Sequence, residues 1–103
     1  MKLLTAVLRR ALPRIGGQEN VKDPIVHVKF FGGSACTWFI TEFDGEDEMF
    51  GFACLGDPEM AELGYISFRE LESLRFPPFG LRLERDLYWT PKPLSEAKKG
   101  LGL

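Results

Sequence analysis

Two runs rich in aromatic and β-branched residues, CTWFITEF at 36–43 and MFGFACL at 49–55, flank a short acidic stretch that contains Asp44-Gly45. Residues of these types favour strands, and Asp-Gly between two such runs is a strong hairpin signal, since both accept the backbone angles of a tight turn. The middle of the chain is thereby committed to an antiparallel hairpin. A turn on Asp44-Gly45 would pair Phe43 with Glu46 and Phe39 with Phe50. A loop centred on Gly45 would pair Ile40 with Phe50, Trp38 with Phe52 and Cys36 with Cys54. The second register gathers the larger apolar set on one side and is favoured. The first stays open, and choosing between them matters because a one-residue slip exchanges the two faces of a strand.

The flanking segments extend this hairpin into an α+β arrangement. Ile25 to Phe31 (IVHVKFF) alternates, with Val26, Val28 and Phe30 on one face and His27 and Lys29 on the other. Before it, Leu4, Val7, Leu8, Ala11 and Leu12 recur at helical spacing, with Thr5 as the N-cap and Arg9 and Arg10 near the C-terminus, where cations suit the helix dipole. Pro13 and Gly16-Gly17 end that helix. After the hairpin, Gly56-Asp57-Pro58 is a turn and ELGYI (62–66) a short strand. Ser67 and Glu70 have the spacing of a capping box, so a short helix near 68–75 follows and stops before Pro77-Pro78. LRLERDLYW (81–89) alternates and supplies a last strand. The expected fold is a mostly antiparallel sheet of four or five strands packed against the N-terminal helix. Residues 1–95 form a single domain, and residues 96–103 are expected to fray.

With 103 residues, 45% of them hydrophobic and nine of them Phe, the chain can bury one core but not two. The apolar run after Lys2 is broken at Arg9 and Arg10, too soon for a signal segment or a membrane span, so a soluble cytoplasmic protein is expected. A net charge of −2 names no partner by itself. Its distribution is uneven, however: Lys2, Arg9, Arg10 and Arg14 occupy a stretch with no acid, while residues 42–62 hold eight acids and no base. Opposite blocks of this kind steer partners or lie together and neutralise each other.

The ordered set LLTAVLRRALP, VHVKFF, TWFITEFDGEDEMFGF, ELGYISFRELES and LERDLYWTPKPL resembles a family of short bacterial proteins of unknown function common on plasmids and other mobile elements. The likeness spans about residues 2–95, and its most specific pieces are TEFDGED, ELGYISFRELES and LERDL. The segment GDPEMAELGY departs from the pattern in what is expected to be a loop of variable length. The resemblance implies a mobile-element setting and a compact domain that can be carried inside larger proteins of DNA-transfer or anti-restriction type, and it carries over no catalytic residue.

The candidate site is the acidic tip, where five carboxylates fall within residues 42–48. Asp44, Glu46, Asp47 and Glu48 have three readings: a solvated turn, oxygen ligands for Mg²⁺ or Ca²⁺, or a surface that imitates phosphate charge. A second cluster, Arg82, Glu84, Arg85 and Asp86, would join Glu62 in a cleft beside Tyr65 and Tyr88, with Arg85 gripping a carboxylate or phosphate. The competing reading pairs these charges across strands.

Other reactive types have structural explanations. His27 is alone and lacks an orienting partner, and the spacing of Cys36 and Cys54 makes no zinc motif. Both thiols are expected to be free and largely buried. Gly32-Gly33-Ser34 is a turn, because no helix follows it to receive a phosphate. No cofactor is expected. The leading expectation is a non-enzymatic module that binds a protein or a protein–nucleic acid complex. Its rivals are a metal-dependent hydrolase or nuclease using Asp44, Asp47, Glu62 and Glu84, and direct DNA binding through Arg9, Arg10 and Arg14.

Overall fold

The computed structural model describes residues 2–103. Helix α1 (Ala6–Ala11) is followed by β1 (Ile25–Val26), β2 (Val28–Gly32), β3 (Cys36–Phe43) and β4 (Glu48–Leu55). A 3₁₀ turn at Pro58–Met60 leads to β5 (Glu62–Ser67), α2 (Phe68–Ser73), β6 (Arg75–Phe76), β7 (Leu81–Arg82), β8 (Glu84–Arg85), β9 (Lys92–Pro93) and α3 (Leu94–Lys99). The fold is α+β. An antiparallel five-stranded sheet in the order β5-β4-β3-β2-β8 is joined by two short ribbons, β1-β9 and β6-β7. No helix among the described residues is long and apolar enough to cross a membrane.

The hairpin takes neither register expected from the turn residues. Phe43 pairs with Met49 and Glu42 with Phe50, and beyond a bulge at Thr41 the pairs become Ile40–Gly51, Phe39–Phe52 and Trp38–Ala53. The loop is longer than a tight turn because Asp44 N–H donates to Glu48 O across it. The bulge then shifts the pairing by one residue, and the Thr41 hydroxyl donates to Phe50 O in its place. Gly51 is required there: a Cβ would overlap the carbonyl oxygen of Phe39.

Strand β3 is buried along nearly its whole length because both faces of the sheet are covered. On one face Val28, Phe30, Trp38, Ile40, Phe43 and Met49 pack under Leu4, Leu12, Leu83 and the α2 residues Phe68 and Leu71. On the other, Val26, Phe39, Phe52 and Cys54 pack under Leu94 and Ala97 of α3, with Trp89 stacked 5.5 Å from Phe39. Burial on two faces explains why CTWFITEF shows no alternation of apolar and polar residues.

Several local expectations change. IVHVKFF is not one strand: it breaks at His27, whose N–H donates to Ile40 O, so Val26 enters the second core while Val28 and Phe30 stay in the first. The 81–89 run divides at the buried Leu83, with β7 pairing to β6 and β8 to β2. The N-terminal segment packs on the sheet through Leu4 and Leu12, which flank α1, while Val7 on the expected apolar stripe is 66% exposed. Residues 96–99, expected to fray, belong to α3. Leu94 and Ala97 anchor that helix, and the Asp23 carboxylate accepts from the Ser95 N–H at 2.9 Å and from its hydroxyl. Cys36 and Cys54 are free, but they belong to opposite faces: Cys54 is in the second core, and Cys36 packs against the first.

Candidate functional site

The acidic tip is built from its own backbone outward. The Asp44 carboxylate accepts the N–H groups of Glu46 at 2.7 Å and Asp47 at 2.8 Å, closing the loop. Those two bonds hold its pKa below the ordinary carboxylate value. Asp47 points the other way, onto the start of α2. Its carboxylate accepts from the Ser67 hydroxyl at 3.0 Å and from Arg69 N–H at 2.8 Å, and its carbonyl accepts from Phe68 N–H.

The expected capping box is thereby half replaced. Ser67 Oγ accepts from Glu70 N–H at 3.2 Å as the spacing predicts, and Asp47, from another strand, serves further donors of the same helix terminus. The N-terminal basic segment reaches the tip as well. Arg9 donates to Gly45 O at 3.1 Å, and its guanidinium lies 5.5 Å from the Phe43 ring centre and 5.4 Å from that of Phe68. The two charge blocks therefore meet at Arg9, through a backbone carbonyl and two aromatic faces. Glu46 and Glu48 stay exposed.

The second cluster does not join this tip. Glu62 begins β5 at one edge of the sheet and Glu84 lies in β8 at the other, with β4, β3 and β2 between them. Glu62 also pairs with Ala53, whereas the tip meets β5 at its far end, where Ser67 pairs with Glu48. At about 3.4 Å per residue this is roughly 17 Å along the strand. Tyr65 and Tyr88 are separated in the same way, on β5 and after β8.

Arg85 is spent on the fold: it donates to the carbonyls of Lys2 at 2.9 Å and Leu3 at 2.7 Å, tying down the N-terminal segment. Asp86 accepts Tyr88 N–H at 2.9 Å. His27 is half-buried, and its burial lowers its pKa. No group of three or more His, Cys, Asp or Glu among the described residues could hold a metal ion. Asp44, Asp47, Glu62 and Glu84 do not converge.

Sequence reasoning missed the buried carboxylate of Glu42. It is 5% exposed and accepts Gly16 N–H at 2.8 Å and Gln18 N–H at 2.9 Å. Gln18 completes the join: its amide nitrogen donates to Ile25 O and Thr41 O, and its oxygen accepts Ile25 N–H at 2.7 Å. This places the 15–24 loop as one wall of a groove of about 550 Å³, lined by Ile15, Val21, Thr41, Phe50, Leu63 and Tyr65. Phe50 and Tyr65 meet edge to face at 5.2 Å, and Tyr65 remains 68% exposed. The signal available in the sequence was the alternation of Leu63 and Tyr65 in ELGYI, which puts both on one face of a strand.

A family model described as a protein of unknown function, DUF2958, matches residues 3–99. The chain belongs to the DUF2958 family. No curated protein and no solved structure matches it. Within this DUF2958 domain, then, the groove beside β5 and the acidic tip are assigned from their geometry alone.

Proposed function

We propose that this DUF2958 domain is a protein-binding module whose docking site is the outer edge of β5 together with the groove beside it, and that the occupant is an extended basic segment of a partner protein. The carrying observation is the outer edge of β5. This strand ends the sheet order, so its six residues, Glu62–Ser67, pair with β4 on one side only. An unpaired edge is a template for a further strand, and natural edges are commonly blunted by lysine, proline or a bulge. ELGYIS carries neither lysine nor proline, and its pairing with β4 is regular from end to end.

Beside that edge the groove offers Leu63, Tyr65 and Phe50 as apolar contacts, the aromatic type favoured at interfaces. The charge of the occupant rests on the five acids at the ends of the strand, Asp57, Glu59 and Glu62 at its start and Glu48 and Glu70 at its finish, which outnumber Lys22 on the groove wall and Arg69 beside Glu70. A peptide alternating apolar residues with Lys or Arg complements both features.

The use of Asp44 and Asp47 as backbone acceptors supports a structural role for the acidic tip over a catalytic one. The setting we assign to this binding is a mobile genetic element, in anti-restriction or element maintenance. That assignment is supported by the TEFDGED, ELGYISFRELES and LERDL resemblance.

Selection from a display library of short random peptides tests the reading. Enriched sequences should alternate apolar and basic residues, and Leu63→Ala with Tyr65→Ala should abolish their binding without lowering thermal stability. Enrichment that ignores both substitutions would place the docking surface elsewhere.

A further inference from the structure

A second cavity, of about 420 Å³, lies on the first-core side of the domain, between the N-terminal segment, α2 and the β6-β7 ribbon. Its lining includes Lys2, Arg9, Phe68, Glu72, Arg82 and Leu83, three cations against one carboxylate. We propose that this cleft binds a phosphate group, as a site separate from the β5 groove and independent of it.

Two features shape the cationic lining before any ligand arrives, and a third leaves Arg82 facing a like charge. The guanidinium of Arg9 is fixed by Gly45 O and by the faces of Phe43 and Phe68. The backbone of Lys2 and Leu3, which forms one wall, is pinned by Arg85. Arg82 stands directly opposite Arg75 in the β6-β7 pairing. Like charges facing each other across a ribbon destabilise it, so the pair costs stability that an anion in the cleft would recover.

Arg75 has partners of its own in the Glu72 and Leu74 carbonyls near the end of α2, which leaves Arg82 as the member that faces the cavity. Glu72, also in the lining, opposes an anion, and the three cations outnumber it. A phosphate group fits this set because its oxygens accept from several donors at once, and because arginine forks match its geometry.

A free phosphate ester and a nucleic-acid backbone both present this chemistry, and the experiment separates the two. Amide and arginine side-chain resonances of the intact protein are followed by NMR during titration with inorganic phosphate, adenosine monophosphate and a short oligothymidylate. Ionic strength is held constant with chloride. Phosphate should move the signals of Leu3, Leu4 and Arg9, and should raise the melting temperature.

Arg82→Thr should weaken that binding by about tenfold or more, the worth of one charge-assisted hydrogen bond. It should also raise the melting temperature in phosphate-free buffer by removing the like-charge pair. Lys2→Ala, outside any helix or strand, serves as a second variant and should weaken binding without changing stability. Adenosine monophosphate acting as well as the oligonucleotide assigns the site to free phosphate esters. A response to the oligonucleotide far exceeding that to the mononucleotide assigns it to nucleic acid. Silence from all three ligands, or full binding retained in both variants, overturns the proposal. The peptide binding expected at β5 should be unaffected by either variant.

Discussion

The carboxylate of Asp47 accepts the backbone N–H of Arg69 at 2.8 Å, joining the tip of one hairpin to the first turn of a helix 22 positions further on. The densest run of acids in the chain thus contains a helix cap. Asp47→Ala should destabilise the domain by about 1–2 kcal/mol, the cost of losing a helix cap. Glu46→Gln and Glu48→Gln, at exposed positions, should each stay within about 0.5 kcal/mol. Urea midpoints of the three variants check the ranking. Equal losses at all three positions would mean that charge density, not capping, sets the stability of the tip.

Glu42 has a different role from the acids that follow it. Its buried carboxylate serves two backbone donors, so Glu42→Leu leaves the Gly16 and Gln18 N–H groups without partners, at a cost of about 3 kcal/mol. Hydrogen exchange supplies the local readout: the amides of Gly16 and Gln18 should lose protection before those of β3.

Gly51 tolerates no side chain, because the bulge at Thr41 brings the Phe39 carbonyl against it. Gly51→Ala should cost about 3 kcal/mol through overpacking against backbone that cannot rotate away. Gly64, its partner in β5, has open space where a Cβ would be, and Gly64→Ala should be nearly neutral. Thermal unfolding of the two variants makes the comparison directly.

The response to pH has two separate origins. Burial lowers the His27 pKa, so the folded state favours the neutral ring while the unfolded chain takes up a proton near pH 6.5. Stability is therefore complete above that pH and declines as pH falls below it toward the folded value. Asp44 and Asp23 have depressed values, held by backbone and side-chain hydrogen bonds, so their contributions persist until pH falls below about 3.8. His27→Gln should remove the first decline and leave the second in place.

What could be read from residues alone was whatever depended on near neighbours. The hairpin, the Ser67 cap and its short helix, and the strand at ELGYI all rest on patterns within a few positions, and all are present. What was lost depended on distant partners. The His27 break follows from Val26 and Val28 serving different cores, which alternation cannot reveal. The bulge needs the register of β3 against β4, and the folding of Leu94 and Ala97 into α3 needs Asp23, 72 positions away from Ser95. The proposed convergence of Glu62 with Glu84 failed on strand order, a property that no local window contains.

The Gln18 amide, by holding both sides of Ile25 at 2.7 and 2.9 Å, closes residues 19–24 into a loop whose two ends are fixed independently of its contents. Lengthening such a loop is inexpensive, since doubling its length adds only about 0.6 kcal/mol of closure entropy. Glu19, Val21, Lys22 and Pro24 on this loop form the outer wall of the groove, while the floor comes from the sheet. Asp23 and Pro24 also receive the Ser95 and Leu94 N–H groups of α3, so it is residues 19–22, facing a base built on the sheet, where the choice of partner can be retuned without disturbing the rest of the fold.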